Sequence, residues 1–107
     1  TIQYMHEREA FGSKIAKYQA LRHTIADLAT EIEAARQLVY HTCWLQAEGE
    51  VAVRQCSMIK LYCAELSNKV VDKCLQIFGG YGSMEAYFIC RAYRDSRVGT
   101  IAGGTSE

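Results

Sequence analysis

The sequence contains no proline, and its 12 basic residues are matched by 12 acidic ones. Zero formal net charge leaves no bulk field to hold nucleic acid or an anionic membrane, so any anion must be bound locally. Half of the 107 residues are apolar and 22% are charged, a balance that excludes a disordered chain or a collagen-like repeat. This length allows one packed domain and is too short for a two-domain enzyme with separate cofactor and substrate lobes.

Segments that would direct the chain to a membrane are also missing. No apolar run approaches the roughly 18 residues of a membrane span, and the N-terminus has neither the basic nor the apolar region of a signal peptide. We therefore predict a soluble protein. The sequence lacks an initiator Met and stops at Thr105-Ser106-Glu107 without a terminating helix, so residues 1–107 are expected to be one domain cut at both ends from a longer protein.

Cysteine and histidine are present without the spacing of a cross-link or a metal site. The five cysteines are odd in number and contain no Cys-x-x-Cys pair, which disfavours a disulfide framework and a zinc site. They fall among helix-forming residues, where we expect reduced, buried thiols. Reduced thiols indicate a reducing compartment, such as a bacterial cytoplasm or a mitochondrial matrix. His6, His23 and His41 lack metal-ligand spacing with any acid or cysteine pair, so no metal site is predicted.

The glycines divide the chain, because six of the eight follow Phe78 and leave room for two long helices before it. Apolar residues recur in alternating steps of four and three in both runs, which is typical of helices packed along their length. The first stripe lies between Tyr18 and Glu48 and the second ends at Phe78, with a short turn at Gly49 and a new start at Glu50. We expect an antiparallel pair that matches Leu21, Ile25, Leu28 and Ile32 with Ile59, Cys63, Leu66 and Val70.

Shorter elements flank this pair. Tyr4 to Ala10 have the pattern of a helix end, Tyr87 to Arg97 that of a short helix, and a glycine-rich strip closes the chain. The predicted fold is all-α, an up-down helical bundle. The second long helix carries more apolar residues than one neighbour can cover, which favours a bundle core or a subunit interface.

Three segments could bind a ligand, although each also has a plain structural explanation. In Gln76-Ile77-Phe78-Gly79-Gly80-Tyr81-Gly82 paired glycines let backbone N–H groups approach a ligand, or simply end a helix. In Ile101-Ala102-Gly103-Gly104-Thr105-Ser106-Glu107 hydroxyls follow two glycines, as they could in a linker. Arg8-Glu9-Ala10-Phe11-Gly12 offers a guanidinium and a ring to an anion beside a planar group, in a combination that is common.

Other polar patterns point to the surface. No side chains stand in a spacing that fixes a base beside a nucleophile. Arg91, Arg94 and Arg97 recur every third residue, which is typical of a solvated or ion-paired helix face with Glu85 and Asp95 as candidate partners.

Taken in order, these motifs resemble those of the acyl-CoA dehydrogenases. The resemblance is to their C-terminal helical domain and covers essentially the whole chain. It begins with Glu7-Arg8-Glu9-Ala10-Phe11-Gly12, with Ile15 and Gln19 after it, and continues through the Gln76 to Gly82 segment. It ends with Arg94-Asp95-Ser96-Arg97-Val98 and Gly104-Thr105-Ser106-Glu107.

The resemblance implies a flavoenzyme that binds FAD non-covalently and removes two hydrogens across the α and β carbons of an acyl-CoA thioester. Arg8 would meet the FAD pyrophosphate with Phe11 nearby, and residues 76–80 would approach the ADP portion, in a neighbouring subunit. Gly104 would border the substrate thioester. The cofactor-binding residues carried over by motif are Arg8, Phe11, Gln19, Gln76, Gly79, Gly80, Thr105 and Glu107.

The resemblance also implies partners: the acyl-CoA substrate, further copies in a homodimer or homotetramer, and electron-transfer flavoprotein. One departure concerns catalysis, because Gly103 occupies the position where many members carry the catalytic Glu. The long-chain and isovaleryl-type members also have glycine there and take their base from an earlier helix, which would lie upstream of Thr1. No catalytic residue is then expected in this chain, and residues 1–107 alone should be inactive.

Three other hypotheses remain open from the sequence. A related flavoenzyme of the same fold, such as an acyl-CoA oxidase or flavin monooxygenase, would share these motifs. A stand-alone helical oligomerisation module would use the apolar stripes alone, but it has no need for Arg8, Gln76 and Thr105 at three separated positions. A helical nucleic-acid binder is disfavoured by the zero net charge and by Asp95 between the arginines.

Overall fold

The computed structural model describes residues 1–107 and shows an all-α protein with one small β-hairpin. The helices are α1 (Ile2–Glu7), α2 (Gln19–Ala47), α3 (Val53–Phe78) and α4 (Phe88–Ser96). Strands β1 (Glu9–Ala10) and β2 (Ser13–Lys14) pair antiparallel between α1 and α2. Short 3₁₀ turns at Ile15–Lys17, Gly79–Ser83 and Arg97–Thr100 connect these elements. No helix is both long enough and apolar enough to cross a bilayer.

Helices α2 and α3 form the predicted antiparallel hairpin. Gly49 ends the first helix in the left-handed region, with φ of +84°, where glycine carries no steric penalty. Two contacts between the helices show their register. Near the middle, the Lys69 ammonium lies 2.6 Å from the Glu31 carboxylate, and near the turn the Gln46 amide contacts the Cys56 thiol. The start of α2 therefore lies beside the end of α3.

This register corrects the residue pairing expected from the stripes. With Glu31 opposite Lys69, Ile32 lies near Val70, but Ile59 lies near Thr42 instead of near the start of α2. Apolar residues recur in steps of three and four along the whole of both helices, so their spacing alone does not select one register. Ile32 is also only partly covered, with 37% of its surface exposed, whereas Leu28 is buried.

The expected helix from Tyr4 to Ala10 was wrong at its C-terminal end. Helix α1 stops at Glu7, and Glu9 and Ala10 form β1 instead. The turn residues Phe11 and Gly12 both have positive φ, +52° and +77°, which is the geometry of a two-residue turn that matches strand twist. Gly12 is one of the two turn residues and adopts positive φ without steric penalty. The chain therefore reverses direction here, and the helix cannot continue.

Two further boundaries differ from the sequence prediction by a few residues. Helix α3 begins at Val53 and not at Glu50, whose N–H still donates to the carbonyl of Leu45 at the end of α2. Helix α4 spans Phe88–Ser96, close to the expected short helix.

The arginine stripe on α4 is engaged within the chain. Arg94 pairs with Glu85, and the hydrogen bonds and charge of that carboxylate raise the pKa of Arg94. Arg91 lies over the Phe88 ring, and Arg97 donates to the Thr100 hydroxyl. Asp95, the other candidate partner, forms no ion pair. These contacts match the expected ion-paired face.

The core is small for the size of the chain. Only 9 of 107 residues are buried, and large apolar side chains such as Tyr40, Trp44 and Met58 remain exposed. The cysteines are free thiols as expected, but none is buried: Cys43 is exposed and the other four are partly covered. The expectation of buried thiols was therefore wrong, because the neighbouring elements of this chain cover the helix faces that carry them only in part.

Leu28 provides a test of the helix pairing. Leu28→Ala is expected to lower the free energy of unfolding by about 2–5 kcal/mol, because a buried leucine leaves a cavity when truncated. Ile32→Ala is the matched control on the same helix and should cost less than half as much, since Ile32 is 37% exposed. Urea titration of the chain measures both values, and equal losses would contradict this packing.

Gly82 provides a second test, of the turn after α3. A Cβ at this buried glycine would lie 2.7 Å from the carbonyl oxygen of Leu75, closer than real contacts allow. Gly82→Ala is therefore expected to cost about 1–3 kcal/mol through overpacking. Gly80→Ala is the control, because no atom lies within 4 Å of its Cβ position, and it should change stability by less than about 0.5 kcal/mol. Thermal unfolding curves that coincide for the two variants would refute this account.

Candidate functional site

A cleft of about 460 Å³ lies where the β-hairpin meets the end of α3. The antiparallel register creates it, because it places the residues just before α2 beside those just after α3. Most of the lining is apolar or backbone, with one charged side chain. The lining residues are Tyr4, Arg8, Ala10, Ile15, Ile77, Phe78, Gly79, Gly80, Tyr81 and Met84.

Arg8 is the charged residue of this cleft, and its backbone is held at both sides. Its N–H donates to the carbonyl of Tyr4 at 2.8 Å, and its carbonyl accepts from the N–H of Ile15 at 2.9 Å. Its extended backbone, with φ of −73° and ψ of 130°, links α1 to β1. The position of the Arg8 backbone beside the cleft is therefore held by hydrogen bonds on both sides.

The Arg8 guanidinium has an aromatic partner and no polar one. Its central carbon lies 5.2 Å from the centre of the Tyr81 ring. The side chain makes no ion pair and no hydrogen bond with the rest of the chain. An arginine presents five N–H donors in a planar fork that suits a carboxylate or phosphate, so these donors remain available to an anion in the cleft.

Gly79 and Gly80 form the backbone wall of the cleft. Gly79 has φ of +60° and ψ of −138°, a conformation that residues with a side chain rarely adopt. No atom of the chain lies within 4 Å of the Cβ position at either glycine. The space beside this backbone is thus open to a ligand, and the protein itself does not use it.

An aromatic cluster supports the base of the cleft. The rings of Tyr4 and Phe78 stack with centres 4.1 Å apart, and Tyr87 meets both edge-on. Tyr81 lies against Tyr87 with ring centres 5.6 Å apart. The Tyr4 hydroxyl also donates to the carbonyl of Phe78 at 3.4 Å. These contacts tie α1 to the end of α3 and hold Arg8 near Gly79 and Gly80.

Phe11 lies at the tip of the hairpin, fully exposed at 99% and with φ of +52°. Positive φ is uncommon for a bulky residue and costs backbone strain, and such strained residues concentrate at functional sites. The Tyr18 hydroxyl holds the hairpin from behind by donating to the carbonyl of Ala10 at 2.8 Å. Phe11 is thus presented to the outside near the cleft and contributes nothing to the core.

Lys14 supplies the charged contacts of the hairpin. Its ammonium lies 2.9 Å from the Glu9 carboxylate and also donates to the carbonyl of Glu7. The hydrogen bond from Lys14, and then its charge, lower the pKa of Glu9. This exposed pair therefore favours the hairpin while Glu9 is ionised, and its contribution is lost as acidification protonates that carboxyl.

Gln19 and Gln76 do not line this cleft. Gln19 is the first residue of α2, where its amide lies 3.5 Å from His23. Gln76 is in the last turn of α3 and faces the groove between α2 and α3, together with Leu21 and Lys73. Both residues are exposed.

The C-terminal motif lies elsewhere. Gly104 is exposed and has φ of +105°, while Thr105 and Glu107 border a small cavity of about 230 Å³ beside Glu65 of α3. Glu65 lies fourteen positions before Gly79, which follows the last residue of α3. At 1.5 Å per residue, this is a distance of roughly 20 Å along the helix. The structure therefore brings Arg8, Gly79 and Gly80 together and keeps Gly104, Thr105 and Glu107 apart from them.

Sequence reasoning missed Tyr81 and Tyr4 as parts of the cleft. Tyr81 belongs to the motif after α3, but its contact with Arg8 depends on a tertiary approach that no local pattern predicts. Tyr4 belongs to α1, ahead of the hairpin, and only its ring stacking on Phe78 reveals its role. The chain has no group of three or more His, Cys, Asp or Glu side chains that could hold a metal ion.

Comparison with known proteins identifies the family. The sequence model of the acyl-CoA dehydrogenase C-terminal domain matches residues 1–107. The chain is 45% identical over 106 residues to a caffeyl-CoA reductase–Etf complex subunit, CarC, from Acetobacterium woodii. That match covers 99% of this chain and 28% of the relative. The chain thus spans about a quarter of the length of the curated relatives that it matches.

Solved structures share this fold. Butyryl-CoA dehydrogenase from Megasphaera elsdenii superposes with a TM-score of 0.95 at 33% identity, over 98% of this chain and 27% of that one. An FAD complex of PigA superposes with a TM-score of 0.92 at 26% identity, over 98% of this chain and 27% of that one. With the family match over its whole length, the chain belongs to the acyl-CoA dehydrogenase family and corresponds to its C-terminal domain.

Proposed function

We propose that this chain is the C-terminal domain of an FAD-dependent oxidoreductase that acts on the CH–CH bond of acyl-CoA thioesters. The observation that carries the proposal is the Arg8 guanidinium, which has no polar partner in the chain and faces a cleft walled by the open backbone of Gly79 and Gly80. The family and the FAD complex of the similar PigA support the choice of cofactor.

In this proposal the cleft holds the diphosphate and ADP portion of FAD. Charge-assisted hydrogen bonds from Arg8 would neutralise the diphosphate, and the glycine backbone would let it approach closely. Phe11, strained and exposed beside the cleft, would offer a ring to the planar part of the nucleotide. Gln19 and Gln76 would contact the cofactor where it extends past the cleft.

The C-terminal motif would serve a different part of the assembly. Gly104 would border the substrate thioester, and Thr105 and Glu107 would lie by the cofactor. Since these residues lie roughly 20 Å along α3 from Gly79, we propose that the two sets contact two different FAD molecules across a subunit boundary. The exposed apolar side chains on α2 and α3 would then pack against other copies in a homodimer or homotetramer.

Bound FAD would supply the two-electron acceptor for the reaction. The position where many members carry the catalytic Glu supplies no base here, because Gly103 has no side chain and adopts φ of +67°, a conformation unfavourable to glutamate. We propose that a carboxylate outside residues 1–107 removes the α proton, as in the long-chain and isovaleryl-type members. On its own, this domain would then be inactive.

Reduction of an enoyl-CoA is a second candidate activity. It is favoured by the 45% identity to CarC, which is a subunit of a caffeyl-CoA reductase–Etf complex. Both directions use the same CH–CH chemistry, and in both we propose electron-transfer flavoprotein as a partner. The five free thiols suit a reducing compartment, either a bacterial cytoplasm or a mitochondrial matrix.

Removal of the Arg8 side chain tests the cofactor site. In the full-length flavoprotein, Arg8→Ala is expected to weaken FAD binding roughly ten- to a hundredfold, because a hydrogen bond to a charged group contributes about 1.5–3 kcal/mol. Arg54→Ala is the matched control, since Arg54 is also exposed and unpaired but lies in the first turn of α3. Reconstitution of the apoprotein with FAD measures both affinities. Equal affinities for wild type and Arg8→Ala would place the diphosphate elsewhere.

Gly80 tests whether the cofactor approaches the backbone. A methyl group at this position meets no atom of the protein, so Gly80→Ala should leave the unfolding temperature unchanged. If the ligand fills the space beside Gly80, the same methyl group should weaken FAD binding about tenfold or more through steric overlap. Calorimetric unfolding and FAD titration of one variant separate the two effects. Normal FAD affinity in Gly80→Ala would contradict a close approach at this wall.

A further inference from the structure

We propose that Tyr81 is a positioning residue for Arg8, and that its ring face holds the guanidinium in the orientation that receives the cofactor diphosphate. This inference rests on the function proposed above for the cleft. It adds a residue to which neither the family motif nor the sequence assigns a role.

The first observation is how little else holds the Arg8 side chain. Its guanidinium carbon lies 5.2 Å from the centre of the Tyr81 ring, within the range of a cation–π contact. No carboxylate or carbonyl of the chain accepts a hydrogen bond from it. A ring face attracts the cation without occupying its N–H donors strongly, so this contact orders the side chain and leaves the donors for a ligand.

The second observation is that Tyr81 itself is well supported. Its ring lies against Tyr87, and Tyr87 meets both Tyr4 and Phe78 edge-on. The carbonyl of Tyr81 accepts the N–H of Met84 at 3.1 Å, which closes the 3₁₀ turn. A flexible arginine is therefore placed on a surface that the aromatic cluster keeps in one position. This lowers the conformational entropy that Arg8 loses when an anion binds.

The third observation concerns the hydroxyl group of Tyr81. It makes no hydrogen bond within the chain, and 39% of the residue's surface is exposed. The ring face is thus the part of this side chain that acts on Arg8, and the hydroxyl is dispensable for this role. Phenylalanine should replace tyrosine here, whereas a side chain without a ring should not.

The test uses the full-length flavoprotein and the affinity of its apoprotein for FAD. Tyr81→Leu is expected to weaken FAD binding about two- to fivefold, the range of an exposed cation–π contact. Tyr81→Phe should bind FAD as wild type does. Phe88→Leu is the matched control, because it removes a similar arginine–ring contact, with Arg91 at 5.9 Å, outside the cleft. It should leave FAD affinity unchanged.

A double-mutant cycle distinguishes positioning of Arg8 from general support of the fold. If Tyr81 acts through Arg8, Tyr81→Leu should have no further effect on FAD affinity once Arg8→Ala is present. An equal effect of Tyr81→Leu with and without Arg8 would overturn the inference, as would wild-type affinity in Tyr81→Leu. If Tyr81→Leu does not fold, Tyr81→Met takes its place and is read in the same way.

The cycle also separates this inference from the proposed function. Should Arg8→Ala bind FAD normally, the assignment of the cleft itself fails, and the role of Tyr81 fails with it. Should Arg8→Ala weaken binding while Tyr81→Leu does not, only the positioning role of Tyr81 is overturned.

Discussion

The antiparallel contact between α2 and α3 determines where every other part of the chain lies. The register that the Lys69–Glu31 contact marks places the start of α2 beside the end of α3, so the hairpin before α2 meets the turn after α3. That meeting brings Arg8 to Gly79 and Gly80, which are some seventy residues apart in sequence. A shift of one heptad would move these ends roughly 10 Å apart and remove the cleft, although both apolar stripes would remain paired.

Aromatic contacts hold the hairpin and the turn after α3 in defined positions around the cleft. The Tyr4–Phe78 stack joins the short helix α1 to α3, and Tyr87 extends the cluster toward Tyr81. A helix of six residues such as α1 has little stability of its own, so its position depends on these rings and on the buried Met5. The same cluster that places α1 therefore also places the arginine that follows it.

Sequence patterns predicted the long elements, in which apolar spacing repeats many times, and missed the shortest elements, in which no spacing can repeat. Apolar spacing over 29 and 26 residues was sufficient to predict α2 and α3, and Gly49 their turn. Strands of two residues carry no periodicity, so β1 was predicted as a helix end. The motifs singled out Arg8, Gly79 and Gly80, and the fold brings these three residues into one cleft. Their convergence, and the contact of Arg8 with Tyr81, depend on a register that heptad spacing leaves open.

The exposed surface of the chain is large for its mass. Its accessible area of 7452 Å² exceeds the roughly 6,000 Å² expected for a compact 12.0 kDa monomer, and its radius of gyration of 16.7 Å exceeds about 13 Å. The excess follows from a single long helical hairpin, because two helices bury only one face of each other. The uncovered faces carry large apolar side chains such as Trp44, Met58 and Leu61, whose exposure is unfavourable in water. A domain of this shape gains stability when further polypeptide covers these faces. The two proposed ligand sites, one at the end of the hairpin and one along α3, would then lie at the boundaries between packed units.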